Sequence, residues 1–596
     1  TDSNSEELFR LLADAIAGRA VMIIGTYRSG YAPPWQDRSF HHRLVLEPLT
    51  REEADRMVQS LSAAADPALQ QLVVDRADGN PLFIEELTRD VRERGDTAEL
   101  PASVHDLLTA RIDRLPERLK RLLQVAAVLG REFRLSVLEA LAPEEVEPTI
   151  ADLVSRELLR EKDVVPEPLY AFSHPLVQEV AYRGLLVKAR TELHGRAGEA
   201  LERLHAGRLD DVLDDLAEHF ARSADRQRAV HYLTLVGDRA ASLFAYREAQ
   251  AAYARALERA PAGADGVRTA VLDKMGDAAF AHGAPKDALA AWEAALALVA
   301  ERGEPGRMAD LHRKMAGACW AAGRTESALA HLEEGLRVLG DDPENLEAAR
   351  LYHELARIHF RLGQHGKATE WARRALALGQ TLEAADVVSH AYNTLGVAVS
   401  RDGDLEAGAA WVTRSLQTAL EHQLGAAACR AYTNLAVMYT SIDHHRSEQY
   451  CREGLALAEK IGDRMQQAWL HCVLAGGHCT ISGDYDEGVR AAEAAVELDE
   501  RLGLHNHLPV PLIILAQIHQ CRGDHERSER YYRRALEVAE SVGEPQLLVP
   551  CYEGLATLAI ERDDEPEAEA WLSKSRDVQQ TTGWTSDTFL VLPFLA

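Results

Sequence analysis

The chain has 596 residues and a formal net charge of −28, with 46% hydrophobic and 27% charged residues. This length exceeds what one hydrophobic core supports, so several domains, or a domain followed by a repeat array, are expected. The negative charge disfavours nucleic acid as a partner, and no apolar run reaches the ~18–20 residues that span a bilayer, so no membrane partner is expected.

The first hundred residues predict a short α/β segment followed by helices. Residues 21–24, VMII, form a continuous apolar run that is typical of a buried parallel strand. The run from Thr50 to Glu53 has the sequence of a capping box and predicts the start of a helix. In residues 76–87, RADGNPLFIEEL, a Gly-Asn-Pro break separates two predicted helices.

Residues 101–190 predict three helices and a β-hairpin, which is the plan of a winged helix. Pro101 and Pro116 stand where two of these helices are expected to begin. Residues 144–182 predict a helix, two short strands around a proline-rich turn, and another helix.

A period of forty residues dominates the chain from about residue 230 to 580. A small residue recurs in this frame from Gly276 to Ala556, and a glycine usually follows seven residues later. That glycine is expected to end a helix in the left-handed conformation, as are Asp443 and Asp563, which replace it twice. Each unit therefore predicts a helical hairpin that buries its apolar face only by stacking on its neighbours.

These spacings resemble the tetratricopeptide repeat (TPR). Its small, small, aromatic and small positions match Gly276, Ala288, Trp292 and Ala295. The resemblance implies an α-solenoid of about nine repeats.

Five motifs in the first 190 residues occur in a recognisable order: IIGTYRSGYAPPW, GNPLFIEEL, LLTARIDRLP, VLGREF and FSHPLVQEVAY. In this order they resemble the C-terminal half of the ATPase module of STAND-class (AAA-like) signal-transducing ATPases, particularly modules attached to bacterial class III adenylate/guanylate cyclases. The implied fold is mainly α: a remnant of a P-loop α/β domain, a helical lid and a winged helix, followed by a TPR α-solenoid.

The expected domains are a P-loop remnant at 1–48, a lid at 49–100, a winged helix at 101–190, a helical linker at 191–229, a TPR superhelix at 230–580, and a tail at 581–596.

The resemblance also implies nucleotide-contacting residues. Pro81 corresponds to the proline beside the adenine, and Gly79 lets the backbone bend towards the base. Arg28 corresponds to the sensor arginine that reaches the terminal phosphate. His174 corresponds to the winged-helix histidine that contacts the β-phosphate, although Pro175 replaces the acidic residue that often follows it. The simpler interpretations stay open: a helix start, a surface arginine and an interior histidine.

The chain alone is not expected to be an enzyme or to bind a cofactor. It contains no G-x-x-x-x-G-K-[ST] loop, and residues 1–9, TDSNSEELF, resemble the segment just after the Mg²⁺-binding Walker B strand. We therefore expect an N-terminally truncated piece of a longer ATPase that uses ATP or ADP with Mg²⁺. The seven cysteines form no Cys-x-x-Cys pair, which favours reduced thiols, a cytoplasmic location and no metal site.

The first helix of each repeat lines the concave side of TPR arrays, and this rule predicts a basic, aromatic groove. The predicted groove residues are Arg313, Trp320, Arg350, His353, Arg357, Phe360, His390, Asn393 and Arg430. Arginine forks bind carboxylates or phosphates, so an anionic ligand is expected, either an acidic peptide segment or a small metabolite. Neutralisation of this strip by neighbouring Glu and Asp is the open alternative.

The leading interpretation is a regulatory sensor-transducer fragment of a multidomain signalling ATPase. Its array would bind a protein or small-molecule signal and control an upstream output domain in cis, a nucleotide cyclase. Two alternatives stay open: a TPR interaction scaffold without nucleotide switching, and a fragment of a large LuxR-like helix-turn-helix regulator. Homo-oligomerisation is also left open.

Overall fold

The structure is a computed structural model that describes residues 3–16, 19–27, 31–33, 41–61, 67–94, 103–142, 146–163, 167–340, 344–401, 403–440, 443–504 and 506–582. The chain forms two compact units, the first from residues 1–248 and 258–261 and the second from residues 249–257 and 262–596. Within the described ranges, no helix has the length and apolar character needed to cross a membrane.

The first unit is mainly helical. Its helices are α1 Ser3–Ala15, α2 Arg51–Leu61, α3 Pro67–Ala77, α4 Pro81–Arg94, α5 Val104–Asp113, α6 Glu117–Leu129, α7 Leu135–Leu141, α8 Val146–Ser155, α9 Pro175–Arg183, α10 Val187–Leu204, α11 Leu213–Arg222, α12 Arg226–Ser242 and α13 Tyr246–Arg259, the last carrying the boundary between the units. A 3₁₀ turn spans Leu209–Val212, and the strands are β1 Glu132–Arg134, β2 Leu159–Asp163 and β3 Leu169–Phe172.

The predicted capping box is present at the start of α2. The backbone N–H of Thr50 donates to the Glu53 carboxylate at 2.8 Å, and the Glu53 N–H donates back to the Thr50 hydroxyl at 3.4 Å. This reciprocal pair satisfies two amides that the first turn leaves unbonded. Helices α2, α3 and α4 then pack around buried Val58, Ile84 and Leu87.

The prediction of a buried strand at residues 21–24 is wrong. The segment from Val21 to Ile24 belongs to no strand, and its side chains are between 40% and 80% exposed. A strand needs a hydrogen-bonded neighbour, and none of the residues described around it provides one.

The predicted succession of helix, two strands and helix is observed at α8, β2, β3 and α9. The three strands form an antiparallel sheet in the order β1-β3-β2. Phe133 of β1 lies opposite Tyr170 of β3, and Leu159 of β2 lies opposite Phe172.

The second unit consists of helical hairpins. Its helices are α14 Asp265–Ala281, α15 Pro285–Arg302, α16 Pro305–Ala321, α17 Thr325–Leu339, α18 Leu346–Arg361, α19 His365–Thr381, α20 Ala385–Arg401, α21 Leu405–Glu421, α22 Gly425–Thr440, α23 His444–Ile461, α24 Arg464–Gly477, α25 Tyr485–Leu502, α26 Pro509–Cys521, α27 His525–Val542, α28 Pro545–Glu561 and α29 Glu565–Thr582. A π-helical turn at His478–Ser482 follows α24.

The turns inside these hairpins have the predicted left-handed backbone conformation with one exception. The recurring glycines are left-handed, with φ between +69° and +101°, and Asp563 adopts the same conformation at +59°. Asp443 does not, because its φ is −149° and its side chain instead accepts a hydrogen bond from the Arg446 N–H. Asp at this position therefore caps the next helix rather than closing the previous one.

Successive hairpins of the second unit wind into a superhelix whose neighbouring turns touch. A side-chain carbon placed on Gly283 of the first hairpin, α14–α15, would lie 3.1 Å from the carbonyl oxygen of Leu502, which ends the sixth. A carbon placed on Gly323 of the second hairpin would lie 3.6 Å from the carbonyl oxygen of Val542, which ends the seventh. One superhelical turn therefore takes about five hairpins.

Candidate functional site

A cavity of about 620 Å³ lies along the inside of this superhelix. It is bounded mainly by the first helices of six consecutive hairpins, namely α14, α16, α18, α20, α22 and α24, with further residues from α15 and residues 504–506. We call this cavity the axial channel.

Six of the nine predicted groove residues line the axial channel: Arg313, Trp320, Arg357, Phe360, Asn393 and Arg430. They meet because the forty-residue period brings the same helical face inward at each step. The channel also extends beyond the predicted stretch, from Asp277 to Asn506. Whether the channel binds a ligand stays a prediction.

The other three predicted residues, Arg350, His353 and His390, lie outside the channel lining. Arg350 pairs with Glu347 at 3.0 Å and with Asp386 at 3.4 Å. The rings of His353 and His390 stack on each other with centroids 4.9 Å apart. Burial lowers the pKa of His353 to about 3 and the pKa of His390 well below its usual value, so both rings are neutral at physiological pH.

Four of the five cations that line the channel are paired with carboxylates. Arg313 pairs with Asp310, Lys314 with Asp273 and Asp277, Arg357 with Glu354, and Arg361 with Glu544. Intramolecular neutralisation, the alternative left open by the sequence, therefore accounts for these four positions.

Arg430 is the exception. No described residue lies within hydrogen-bond or ion-pair distance of its guanidinium group. Burial, together with nearby Arg357, lowers the pKa of Arg430 to about 10, so the group remains protonated at neutral pH. Arg430 is half-buried, so its charge loses part of its hydration without gaining a direct counter-ion.

Two further polar groups of the channel lack a partner. The Nδ2 atom of Asn393 and the Nε atom of Arg313 are buried and make no hydrogen bond. Asn434 donates its own Nδ2 to the Oδ1 of Asn393 at 2.5 Å, which orients the Asn393 amide. These two donors are buried behind the channel surface and stay without a partner in this structure.

Sequence reasoning missed one set of channel residues that shares a single repeat position: Lys314, Glu354, Thr394 and Asn434. These residues are spaced by forty and directly follow the position of Arg313 and Asn393. Reading the repeat frame one position further would have found them. Trp469 was also missed, because the predicted groove ended at Arg430 and Trp469 lies in the following repeat.

In the first unit, Gly79 and Pro81 lie at the turn between α3 and α4, and Arg28 lies outside the described residues. Gly79 is left-handed at φ +71°, and a side-chain carbon there would lie 2.5 Å from the Leu49 carbonyl oxygen. Asn80 accepts a hydrogen bond from the Phe83 N–H at 3.2 Å, and Pro81 is the first residue of α4. Each residue of the Gly-Asn-Pro sequence therefore has a local structural role: Gly79 allows close packing, Asn80 caps α4, and Pro81 begins it.

His174 precedes α9, and its Nδ1 accepts a hydrogen bond from the Leu176 N–H at 3.2 Å. Burial lowers the pKa of His174, and the carboxylates of Glu86 and Glu85 on α4 oppose that shift. His174 therefore lies near the same helix that Pro81 begins. Buried Arg111 of α5 joins these elements by an ion pair to Glu86 at 2.6 Å.

Comparison with known proteins supports the assignment of the repeats. Residues 307–381 and 510–581 match the tetratricopeptide-repeat family model. An uncharacterised protein of Rhizobium meliloti (strain 1021) is 28% identical over 275 residues, which is 43% of this chain. The chain spans 27% of the length of that relative.

Two solved structures share the helical architecture at low sequence identity. A STAND protein with a tetratricopeptide-repeat sensor from Pyrococcus horikoshii is 13% identical, with a TM-score of 0.45 over 89% of this chain and 72% of its own. A Rap protein complexed with competence and sporulation factor is 15% identical, with a TM-score of 0.43 over 60% of this chain and 95% of its own. The family match and the observed hairpins together identify the array of the second unit as a tetratricopeptide-type helical solenoid.

Proposed function

We propose that the second unit is a sensor that binds an anionic ligand in the axial channel. The observation that carries this proposal is the guanidinium of Arg430, which lines the channel, is half-buried and has no ion-pair partner among the described residues. A bound carboxylate or phosphate group would supply the counter-ion that the fold leaves out, and a guanidinium offers two parallel donors to such a group.

The surroundings of Arg430 favour a ligand with one strong negative charge and an apolar body. Glu354 lies near enough to interact with Arg430, so a highly charged anion would meet repulsion. Trp320 and Phe360 provide apolar walls. An acidic peptide segment and a small organic acid both have this chemistry.

We further propose that the ligand signal passes to a nucleotide-dependent switch in a longer protein. ATP or ADP with Mg²⁺ would be held by a P-loop domain, and an output domain such as a nucleotide cyclase would respond. Of the candidate residues here, Pro81 is exposed and suits contact with a base. Gly79 and His174 already have structural roles in packing and capping, so no step is assigned to them.

The substitution Arg430→Met tests the sensor. Removing an unpaired, half-buried charge while keeping most of the side-chain volume should raise the free energy of unfolding of the ligand-free chain by about 1–2 kcal/mol. The parent chain should gain thermal stability from the low-molecular-mass fraction of a cell extract, and the variant should lose this gain. Thermal melts, with native mass spectrometry of the bound species, measure both effects.

Arg350→Met is the matched control, because Arg350 lies in the same array but already has two carboxylate partners. This control should not gain stability and should respond to the extract like the parent. An Arg430→Met chain that melts below the parent and still responds to the extract would contradict the proposal.

A further inference from the structure

Neighbouring turns of the superhelix contact each other at several places. At Gly283 and Gly323 these contacts are made by backbone against backbone, opposite Leu502 and Val542. Such contacts contribute van der Waals attraction but little directional strength. A third contact, close to the second, is of a different kind.

That third contact is an ion pair between Arg361 and Glu544. The Nη2 atom of Arg361 lies 2.7 Å from a carboxylate oxygen of Glu544, although the two residues are 183 positions apart. Their side chains are 20% and 9% exposed. Because the pair is largely removed from water, salt screens it weakly and its loss is costly.

Both partners are fixed by the repeat architecture. Arg361 is the last residue of α18, lines the axial channel, and has its guanidinium carbon 5.9 Å from the centre of the Trp320 ring. Glu544 lies at the start of α28, where Gln546 also donates to its carboxylate. One end of the pair is therefore part of the channel, and the other belongs to the next superhelical turn.

We propose that the Arg361–Glu544 ion pair is a clasp that holds neighbouring turns of the superhelix together and so closes the side of the axial channel. When the clasp opens, the third hairpin, which contains Arg361, separates from the junction of the seventh and eighth hairpins, which contains Glu544. This opening gives a large ligand a lateral route to the interior. The clasp is a property of the array itself and does not depend on which ligand the channel binds.

Amide hydrogen exchange of the ligand-free chain tests the clasp. Arg361→Gln and Glu544→Gln should each speed up exchange in segments 320–325 and 541–548 by at least about tenfold, the factor that corresponds to about 1.4 kcal/mol. The double variant Arg361→Glu with Glu544→Arg restores the charge pairing and should return both segments towards the parent rate. Small-angle scattering should show a larger radius of gyration for the single variants only.

Arg490→Gln is the matched control, because it removes an exposed ion pair with Glu487 inside one hairpin and should leave both segments unchanged. If the single variants exchange like the parent, the clasp is wrong. It is also wrong if the reversed pair exchanges as fast as the single variants. Neither outcome concerns Arg430, so failure of the clasp and failure of the sensor proposal can be told apart.

Discussion

At the scale of single residues, the first unit contains a buried chain of three hydrogen-bonded rings. The Tyr182 hydroxyl lies 2.9 Å from Nε2 of His194, and Nδ1 of His194 lies 2.9 Å from Nδ1 of His219. Two facing ring nitrogens need a single proton between them, so protonating both histidines would break the bond. Burial is the largest cause and neighbouring positive groups add to it, so that the pKa of His194 is lowered to about 3 and the pKa of His219 to about 4.

This pair predicts an acid-sensitive first unit. Above about pH 6.5 both histidines are neutral in the folded and unfolded states, so they add no pH dependence. Below that pH the unfolded chain takes up protons that the folded chain excludes. The free energy of unfolding should therefore fall by about 1.4 kcal/mol per pH unit for each histidine until pH approaches about 4. Urea unfolding at pH 7, 6 and 5 measures this slope.

The variant His219→Gln should show a reduced slope, whereas His105→Gln, at an exposed position of α5, should keep the parent slope. Equal slopes in all three chains would show that the buried pair is not the origin of the acid sensitivity.

Three of the five cations of the channel could be predicted from the sequence, but the distant carboxylates that neutralise other cations could not. Arg313, Arg357 and Arg430 followed from the repeat period, because a fixed spacing repeats a fixed helical face. Whether each cation is neutralised depends on carboxylates at unrelated distances along the chain. Asp310 is three residues from Arg313, whereas Glu544 is 183 residues from Arg361. No local pattern encodes the second kind of pairing.

At the scale of the helical hairpin, the small residue of each first helix sets how closely the two helices approach. Gly276 lies against Trp292, and a side-chain carbon at Gly276 would come within 2.4 Å of the indole nitrogen. That nitrogen donates a hydrogen bond to the Asp273 carbonyl at 3.3 Å. The glycine therefore makes room for the tryptophan and for its bond to the facing helix.

Gly276→Ala should reduce the free energy of unfolding by about 1–3 kcal/mol, because the added methyl group must displace the buried Trp292 ring. Gly317→Ala, one position beyond the equivalent place in the next hairpin, should stabilise the chain by about 0.5–1 kcal/mol. No neighbouring atom lies within 4 Å of its added carbon, and alanine favours the helix. Thermal melts of the two variants check the opposite signs, and equal effects would contradict the packing argument.

Elements with strong local signals were predictable, and elements that depend on a distant neighbour were not. The capping box at Thr50 and the hairpin of β2 and β3 were found, because their hydrogen bonds close within a few residues. The run from Val21 to Ile24 was misassigned, because its apolar side chains match a buried strand but none of the described residues around it forms a partner strand.

A pairing between the two helices of a hairpin was also missed. Tyr352 stacks on Trp371, Tyr392 on Trp411, and the same spacing of nineteen recurs at Tyr552 and Trp571. The tyrosines share one repeat position in the first helix and the tryptophans share another in the second helix, so aligning both helices of the repeat would have predicted the pairing.

At the scale of the whole molecule, the mainly helical fold and the repeat array could be predicted because the same pattern of small and apolar residues recurs in eight units. The winding of that array could not, because about five hairpins per turn results from small rotations that accumulate between units. This winding brings the first helices of six consecutive hairpins around one cavity.

The contacts between superhelical turns have a consequence for cooperativity. A linear array unfolds as a series of nearest-neighbour steps, so damage to one unit stays near that unit. Here Leu515→Ala in α26, a fully buried site in the seventh hairpin, should also speed up amide exchange around Gly323 in the second. Exchange in α20 and α21, midway between them along the chain, should change less. Faster exchange confined to α26 and its sequence neighbours would show that the hairpins unfold independently. Faster exchange in α26 and around Gly323, but not in α20 and α21, would show that the contacts between superhelical turns couple distant hairpins directly.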